Sequence, residues 1–372
     1  MTDVFRDNGY EVGYIGKWHL DPPEEAHLPF TEGYRKDGII WDSYTLPQRR
    51  HGIGFWHGYG CCDHHLEPHY WSSNAKPGEA IHPHKWSVEH EADVAVDYIM
   101  NTDRVRDEKK PFVLFVANNP PHPPYDQVPE RYVEMYRDKT PEELLKSPCF
   151  NVQDTTPAVR YLQNSWSNGA AEQAIHSYLG AITGVDENFG RILRAIREKN
   201  IEEDTIVIFT SDHGDLMGSH NMMGKGPWYR DSFNIPFIVR YPGKLRPANP
   251  GFVMGAVDMM PTILGLAGLR EQIPEGIDGT DYSKYLLEGR DDIDSDALYF
   301  QFSRYRVRGL KTRKYTFVSA QNYAEDEMFL LYDDENDYYQ LENLAEKRPE
   351  VVRELKERLE KKLRETNDNW RD

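Results

Sequence analysis

The chain has 372 residues, enough to bury a sizeable core, and its 39% hydrophobic, 12% aromatic and 28% charged residues are typical of a globular protein. The net charge of -18 repels phosphate backbones and anionic membrane surfaces, so neither nucleic acid nor a membrane is expected as a partner. A small anionic substrate is also repelled at long range, so a site for one needs local positive charge from a metal, Lys or His.

The first part of the chain alternates predicted elements with polar loops. Residues 1–8 have the pattern of a helix that Gly9 ends, and a strand over 11–15 follows. Residues 21–86 are polar, aromatic-rich and punctuated by Pro and Gly, which indicates loops near a site, and 88–102 has the spacing of a helix. No leader and no apolar run of roughly 18 residues is present, so no export signal or membrane span is predicted and localisation stays open.

Two apolar runs rich in β-forming residues predict strands that are buried on both faces. One, over 111–117, ends shortly before His122, and the other, over 205–210, ends shortly before Asp212 and His213. A helical pattern lies between them, and this alternation predicts a parallel α/β sheet. Ligands bind beyond the carboxyl ends of such strands, so the three polar side chains are expected to converge on one crevice.

The remaining segments complete the predicted organisation. Residues 129–169 are irregular and predict an excursion or lid, and 236–241 predicts a third strand of the sheet. Short β-rich segments from residue 294 predict a small antiparallel sheet, and a helix that starts at Pro349 ends the chain. We therefore expect an α/β domain over 1–293 and a C-terminal subdomain over 294–372.

The segment after the second buried strand has the residues of a metal and oxyanion site. Asp212 and His213 suit metal ligation, and the following glycine relieves crowding in the turn. His220 and the glycine-flanked Lys225 lie on the same excursion and suit a tetrahedral oxyanion. Taken singly, the aspartate is equally consistent with a capped turn and the lysine with a solvated surface.

Two further segments offer cationic or proton-transferring groups. Lys17 and His19 flank Trp18 on a tight turn after a strand, where the indole can pack and hold the turn. His122 is framed by prolines that limit its freedom, which suits a general acid. A histidine in that setting is otherwise most often a residue of a surface loop.

The three cysteines do not have the pattern of a disulfide framework, because their number is odd and two are adjacent. The Cys61-Cys62 pair and the nearby His64, His65 and His69 suggest a second metal site, but adjacent cysteines do not match zinc-site spacing. The favoured interpretation is a loop that forms one wall of a substrate pocket, with His64 and His65 in contact with a sugar or aryl group.

Four motifs in order resemble the sulfatase family, arylsulfatase-like, of the alkaline-phosphatase superfamily. They are Gly-Tyr-x-x-x-Tyr-Ile-Gly-Lys-Trp-His-Leu at 9–20, Pro-His-x-Pro at 121–124, Ser-Asp-His-Gly-Asp at 211–215, and the Gly-x-His and Lys225 that follow. The resemblance spans nearly the whole chain. It implies an alkaline-phosphatase-like fold with a central, mostly parallel sheet flanked by helices, a small C-terminal antiparallel sheet and a terminal helix.

The resemblance also implies roles for individual residues. Asp212 and His213 are expected to bind a divalent cation, calcium in the first place, with manganese or magnesium as alternatives. Lys17 and Lys225 resemble the lysines that hold sulfate oxygens, and His122 resembles the histidine near the leaving-group oxygen. His19 resembles the histidine that serves the nucleophile. Further substrate contacts are expected from His64, His65 and His220.

One departure from the family concerns the nucleophile. Family members carry a Cys or Ser in Cys/Ser-x-Pro-x-Arg, matured to formylglycine, and two adjacent metal-binding aspartates before it. No Cys or Ser of this chain is followed by x-Pro-x-Arg, and its Asp-Asp pairs lie late in the sequence. We therefore expect an N-terminally truncated chain without formylglycine, whose unpaired sheet edge favours an oligomer or a complementing N-terminal fragment.

These observations predict a sulfuric ester hydrolase that acts on a sulfated carbohydrate or an aryl sulfate and is inactive as the truncated chain. One alternative is a phosphodiester or phosphonate ester hydrolase of the same superfamily, which the Asp212-His213 pair favours. The other is a non-catalytic protein that keeps anion affinity without turnover.

Overall fold

The computed structural model describes residues 1–21, 24–25, 35–36, 39–152, 169–302, 306–321 and 327–368. The chain forms two compact units, of which the first comprises Met1–Pro141 and Ala174–Thr205 and the second Glu142–Gln173 and Ile206–Asp372. Parts of the loops predicted over 21–86 and 129–169 lie outside the described residues. The predicted domain boundary after residue 293 stays a prediction.

The helices and strands are numbered along the chain. The α-helices are α1 (Thr2–Asp7), α2 (Ser87–Met100), α3 (Glu130–Val133), α4 (Pro141–Leu144), α5 (Ala170–Glu198), α6 (Arg230–Phe233), α7 (Ala256–Leu266), α8 (Ser283–Glu288) and α9 (Pro349–Glu365). The strands are β1 (Glu11–Lys17), β2 (Glu24–Glu25), β3 (Arg35–Lys36), β4 (Ile39–Ile40), β5 (Phe55–Tyr59), β6 (Trp71–Ser72), β7 (Phe112–Ala117), β8 (Val207–Thr210), β9 (Phe237–Arg240), β10 (Asp296–Phe302), β11 (Arg306–Thr312), β12 (Tyr315–Gln321) and β13 (Glu327–Asp333). Among the described residues, no helix has the length and apolarity that a membrane crossing requires.

The first unit is built on a four-stranded sheet with the order β6-β5-β1-β7. Strand β1 pairs in parallel with both β5 and β7, and only the short β6 runs antiparallel. The predicted strand before His122 is therefore present, but the prediction that it is buried on both faces is wrong. All six residues of β7 are partly exposed, because β7 is the last strand of the described sheet.

The predicted strands over 205–210 and 236–241 are present as β8 and β9. They pair antiparallel with each other, from Val207 opposite Arg240 to Thr210 opposite Phe237, and form a two-stranded sheet. The prediction of a mostly parallel sheet assigned no direction to this pair, which is antiparallel because the chain between the strands, residues 211–236, reverses and returns alongside β8. A pattern of apolar residues identifies strands but not their direction, and this return was not predictable from it.

The C-terminal antiparallel sheet and terminal helix are present as predicted. Strands β10 to β13 follow one another as an antiparallel meander in sequence order. One hydrophobic cluster joins α9 to the sheet through Leu355, Leu359 and Leu363, which pack with Leu310 and Phe317. Each large apolar side chain buried in this way stabilises the unit by about 1.5–3 kcal/mol. The helix therefore holds the meander from one face.

The end of β1 is held by a close backbone approach and by aromatic packing. Gly16 has φ +103, and a Cβ at this position would lie 2.2 Å from the carbonyl oxygen of Ala117. Trp18 is buried, and its ring packs edge-on against Tyr14 and Trp56 at 5.0 and 5.2 Å between ring centroids. These contacts determine where the chain leaves the sheet at Lys17.

We expect Gly16→Ala to lower the free energy of unfolding by about 2–4 kcal/mol, because the new Cβ meets a backbone atom and the left-handed φ strains any L side chain. Gly78→Ala is the matched control, since a Cβ there has open space, and its effect should stay near 0.5 kcal/mol. Urea unfolding followed by circular dichroism measures both. Equal midpoints for the two variants would contradict the close approach.

Candidate functional site

Lys17 is held at the end of β1 by a polar network from two other segments. Its Nζ donates to Oδ1 of Asn119 at 2.9 Å and lies 4.0 Å from Oδ1 of Asp63. Asn119 is buried, and its Nδ2 donates to the carbonyl oxygen of Cys62 at 2.7 Å and to Asp63 at 3.2 Å. The ammonium therefore has a defined position before any ligand is present.

His122 lies against the same carboxylate. Its Nδ1 is 3.4 Å from Oδ1 of Asp63 and 2.7 Å from the carbonyl oxygen of Pro123. Both neighbours can only accept hydrogen bonds, so the proton belongs on Nδ1. The Nε2 atom of His122 is therefore the ring nitrogen that can exchange a proton with a ligand. A quarter of the His122 side chain is exposed, which leaves room for such contact.

Asp63 is ionised in this setting. Burial by itself raises the pKa of its carboxyl, but hydrogen bonds from His122 and Asn119 and the charge of Lys17 outweigh burial and lower the pKa to about 2. The Lys17 and Asp63 charges therefore offset each other. Net positive potential for an anion at this cluster depends on a second cation, which a protonated His122 would supply.

His65 holds the backbone of His122 through a hydrogen bond. It is 2% exposed, its Nε2 lies 2.9 Å from the carbonyl oxygen of His122, and its backbone N–H donates to Oε1 of Gln127 at 2.7 Å. Burial lowers the pKa of His65 to about 4, so the ring is neutral and Nε2–H donates to that carbonyl. His64, its neighbour, is exposed. Substrate contact by either histidine stays a prediction.

A buried carboxyl supports the end of β7. Glu91 on α2 is completely buried and accepts hydrogen bonds from the hydroxyl of Tyr70, at 2.8 Å, and from Nδ2 of Asn118. Burial raises the pKa of Glu91 to about 8, although both hydrogen bonds oppose the shift. Asn118 precedes Asn119 in the chain, so this contact holds the backbone that presents Asn119 to Lys17.

His19 lies at the turn that follows. Its side chain is exposed, its φ is +46, and its backbone N–H donates to the carbonyl oxygen of Gly60 at 3.0 Å. The turn predicted after β1 is therefore present and is tied to the segment after β5. The role expected for His19 at the nucleophile stays a prediction.

In the second unit, Asp212, His213 and Lys225 form one polar group. The Nδ1 of His213 lies 2.8 Å from the carbonyl oxygen of Gly214, so the ring proton belongs on Nδ1 and Nε2 carries the lone pair. Lys225 Nζ is 2.7 Å from this Nε2, and Asp212 Oδ2 is 3.3 Å from it. The two residues predicted to bind a metal and the lysine predicted to bind an oxyanion therefore meet at Nε2 of His213.

The loop that carries these residues is closed by its own hydrogen bonds. Asp215 accepts the backbone N–H groups of Met217 and Gly224, each at 3.0 Å, and the Ser232 hydroxyl accepts the N–H of Gly226 at 2.8 Å. His220 is 4% exposed, and its ring stacks on Tyr229 at 3.6 Å. His220 is thus part of the loop's packing, and its contact with a substrate stays a prediction.

The donor set of Asp212 and His213 fits a divalent cation. A carboxylate oxygen and an imidazole lone pair lie side by side, and the Asp212 side chain is 85% exposed, so an ion can reach it. Manganese accepts both kinds of ligand, whereas calcium prefers oxygen and takes six to eight ligands. The two side chains can therefore supply part of a coordination shell.

Two groups that sequence reasoning missed are Asp63 and Asn119. Each contacts more than one of the predicted residues of the first unit, and neither belongs to the four motifs. The Asn118-Asn119 pair directly follows a predicted strand, so its position was a usable signal. Asp63 lies inside the Cys and His run, and nothing local to it indicates that it pairs with Lys17 and His122.

Comparison with protein-family models identifies two matches. A model described as Sulfatase matches residues 1–269. A second, described as the C-terminal part of N-sulphoglucosamine sulphohydrolase, matches residues 218–369. The two matches together span all four motifs and the C-terminal sheet.

Curated relatives match over the full chain. An endo-4-O-sulfatase of Bacteroides thetaiotaomicron is 35% identical over 400 aligned residues, which span 100% of this chain and 74% of that protein. An arylsulfatase of Clostridium perfringens is 29% identical over 397 residues, which span 100% of this chain and 79% of that protein.

Solved structures confirm the predicted alkaline-phosphatase-like fold. A Bacteroides fragilis protein described as a sulfatase superposes with a TM-score of 0.87 and 34% identity, over 99% of this chain and 77% of that chain. A phosphonate monoester hydrolase of Agrobacterium radiobacter superposes with a TM-score of 0.60 at 24% identity, over 74% of this chain and 60% of that chain. The second likeness concerns the fold alone.

The raised pKa of Glu91 predicts a pH dependence of stability. Below its ordinary value of 4.5 the carboxyl is protonated in both states, and between 4.5 and about 8 only the folded state keeps the proton. The free energy of unfolding should therefore fall as pH rises through this range, by about 1.4 kcal/mol per pH unit. Glu91→Gln should remove this component of the slope, and the exposed control Glu67→Gln should retain it in urea unfolding. An unchanged slope in Glu91→Gln would refute the assignment.

Proposed function

Because the chain belongs to the sulfatase family, we propose that it recognises the sulfate group of a sulfated carbohydrate or an aryl sulfate as a sulfuric ester hydrolase. The observation that carries the proposal is the position of Lys17, whose ammonium Asn119 holds near Asp63, the carboxylate that His122 also contacts. A sulfate ester presents three oxygens that accept hydrogen bonds, and an ammonium donates to such oxygens. The ester oxygen of the leaving group needs a proton, which an imidazole can supply.

His122 is suited to donate the proton to the leaving-group oxygen. Its Nδ1 faces two acceptors, so Nε2 is the atom that would protonate a leaving-group oxygen. The same proton also gives His122 the positive charge that the Lys17–Asp63 pair lacks. Binding of an anion and protonation of His122 should therefore favour each other.

We assign the divalent cation to Asp212 and His213. When bound, the ion would supply a positive charge that holds a ligand oxygen. Nε2 of His213 cannot bind an ion and accept from Lys225 at once, so cation binding should release the Lys225 ammonium for another acceptor. A sulfate oxygen is one kind of acceptor that a free ammonium can bind. Calcium is the first expectation, and the imidazole keeps manganese and magnesium as alternatives.

The names of the relatives support a substrate class. Two of them are described as an endo-4-O-sulfatase and an ulvan-active sulfatase, and a third as an arylsulfatase. A sulfated glycan is therefore the first substrate class to test, with aryl sulfates as convenient reporters. We expect binding without ordinary turnover from these 372 residues, because no Cys or Ser among them is followed by x-Pro-x-Arg.

A phosphonate or phosphodiester hydrolase is the second candidate. A multifunctional alkaline phosphatase superfamily protein of Trinickia caryophylli is 30% identical over 213 residues, which span 52% of this chain and 41% of that protein. The adjacent Asp212 and His213 favour this candidate. Competition between nitrophenyl sulfate and a nitrophenyl phosphonate ester for the same chain distinguishes the two, since the preferred ester identifies the anion class.

Lys17→Met should weaken binding of nitrophenyl sulfate by about 10- to 100-fold, because one charge-assisted hydrogen bond to the ligand is lost. Isothermal titration calorimetry measures the dissociation constant. Lys76→Met is the matched control, since the Lys76 side chain is 82% exposed and its variant should bind as the parent does. Thermal midpoints recorded beside the titrations show whether Lys17→Met is folded.

One result would count against the proposal, and a second would correct only the expected lack of turnover. Equal affinity in the parent and a folded Lys17→Met would remove Lys17 from the site. Hydrolysis of nitrophenyl sulfate at an ordinary sulfatase rate by the 372-residue chain would overturn the expectation of binding without turnover, while supporting the hydrolase assignment.

Asp212→Asn should weaken binding of calcium or manganese by about 100-fold, since loss of a direct ligand costs at least as much as loss of a residue that orients one. The shift of the thermal midpoint with added cation reports the binding. Asp204→Asn is the control, because the Asp204 carboxyl is exposed and lies outside the 211–236 loop. This variant should keep the cation-induced shift of the thermal midpoint. A full cation shift in Asp212→Asn would place the ion elsewhere.

A further inference from the structure

Three side chains of kinds that bind metal ions, Asp42, Cys62 and His69, meet inside the first unit, next to the segment that carries Asp63. Asp42 follows β4, Cys62 follows β5 and His69 precedes β6, so they come from separate segments. Their ligand atoms all lie within 4.8 Å of one another. The residues are 0%, 5% and 6% exposed. Two ligands of one zinc ion, each about 2.0–2.3 Å from the metal, have a separation of this order or less.

The polar atoms of this cluster are not satisfied by the described protein groups. Both carboxylate oxygens of Asp42 and the Nε2 of His69 are buried without a hydrogen-bond partner among the described residues. His69 Nε2 and Asp42 Oδ2 are 2.8 Å apart, yet the pair lacks hydrogen-bond geometry. A buried carboxylate that receives no donor destabilises the fold unless another partner is present. The Asp42 carboxylate and the His69 Nε2 atom are therefore placed as two ligands of one bound ion would be.

We propose that Asp42, Cys62 and His69 bind a zinc ion, independently of the function assigned to the chain. Thiolate, imidazole and carboxylate together form a donor set that zinc accepts, whereas calcium and magnesium avoid sulfur. On binding, the Zn–S bond replaces the S–H bond of Cys62 and the proton leaves to solvent. Three protein ligands leave one position of a tetrahedral ion for a water.

The surroundings favour a structural ion. Buried aromatic side chains of Tyr44, Tyr59 and Trp71 pack around Cys62, and the ring of His69 meets that of Trp71 edge-on at 4.9 Å. This shell limits the access of water, which strengthens electrostatic contacts inside it. A catalytic ion would need an open approach for substrate, which three buried ligands do not offer.

The ion would stabilise the loop after β5, which carries Asp63 and so positions Lys17 and His122. Cys62 precedes Asp63 in the chain, and its carbonyl oxygen accepts the Nδ2 of Asn119. A metal bond to Cys62 therefore limits the movement of the backbone from which Asp63 reaches Lys17 and His122. Loss of the metal should disturb Lys17 indirectly, through Asp63.

Metal content and cobalt spectroscopy test the proposal on the full chain. After purification with zinc and removal of loosely bound metal, mass spectrometry should find about one zinc per chain. Replacement by cobalt should give visible d–d bands of a tetrahedral ion and a near-ultraviolet thiolate-to-cobalt band. A chelator that strips the metal should lower the thermal midpoint. No retained zinc and no cobalt bands in the parent chain would overturn the site.

Variants identify the ligands. Cys62→Ser should lose the thiolate band, while Cys61→Ser should keep it, because Cys61 is the adjacent cysteine but is not one of the three clustered donors. A band that survives Cys62→Ser and vanishes in Cys61→Ser would refute the assignment. If Cys62→Ser does not fold, Asp42→Asn and His69→Gln in the cobalt form replace it, and unchanged bands in both would refute the site. Zinc retained by Asp212→Asn separates this ion from the cation of the proposed function.

Discussion

The parallel pairing of β1 with β7 brings the Lys17 ammonium to the buried side-chain amide of Asn119. The rest of the site in the first unit depends on this contact. The register sets Gly16 opposite Ala117, so both strands end at the same edge, where Lys17 and Asn119 follow. Gly16 allows the backbones to approach because a Cβ there would clash with the neighbouring carbonyl. Asn119 then connects the ammonium to the loop after β5, which supplies Asp63.

Two carboxyls of the same unit are held in opposite protonation states by their surroundings. Asp63 gathers donors and a nearby cation, so its pKa falls to about 2 in spite of burial. Glu91 has two donors, no cation contacts it among the described residues, and it is completely buried, so its pKa rises to about 8. One carboxylate therefore offsets the charge at the site, and the other carboxyl stays neutral as part of the support beneath Asn118.

The second unit presents its polar group on a loop that is stable through local contacts. Asp215 and Ser232 accept backbone N–H groups across the loop, and stacking of His220 on Tyr229 fills its interior. Such closure keeps His213 in one orientation, with its proton on Nδ1. A fixed tautomer is what allows one nitrogen to exchange Lys225 for a metal ion without rebuilding the loop.

Sequence alone determined the regular elements and the residues that carry charge at their ends, because apolar periodicity and strand-end polarity are local properties. Lys17 and Asp212 were found in this way, as were the C-terminal meander and its helix. Only the tertiary structure decided that β8 and β9 run antiparallel, that Asp63 joins Lys17 to His122, and that Asp42 approaches residues distant in the chain. These outcomes depend on contacts between distant segments, and no local pattern specifies which segments meet.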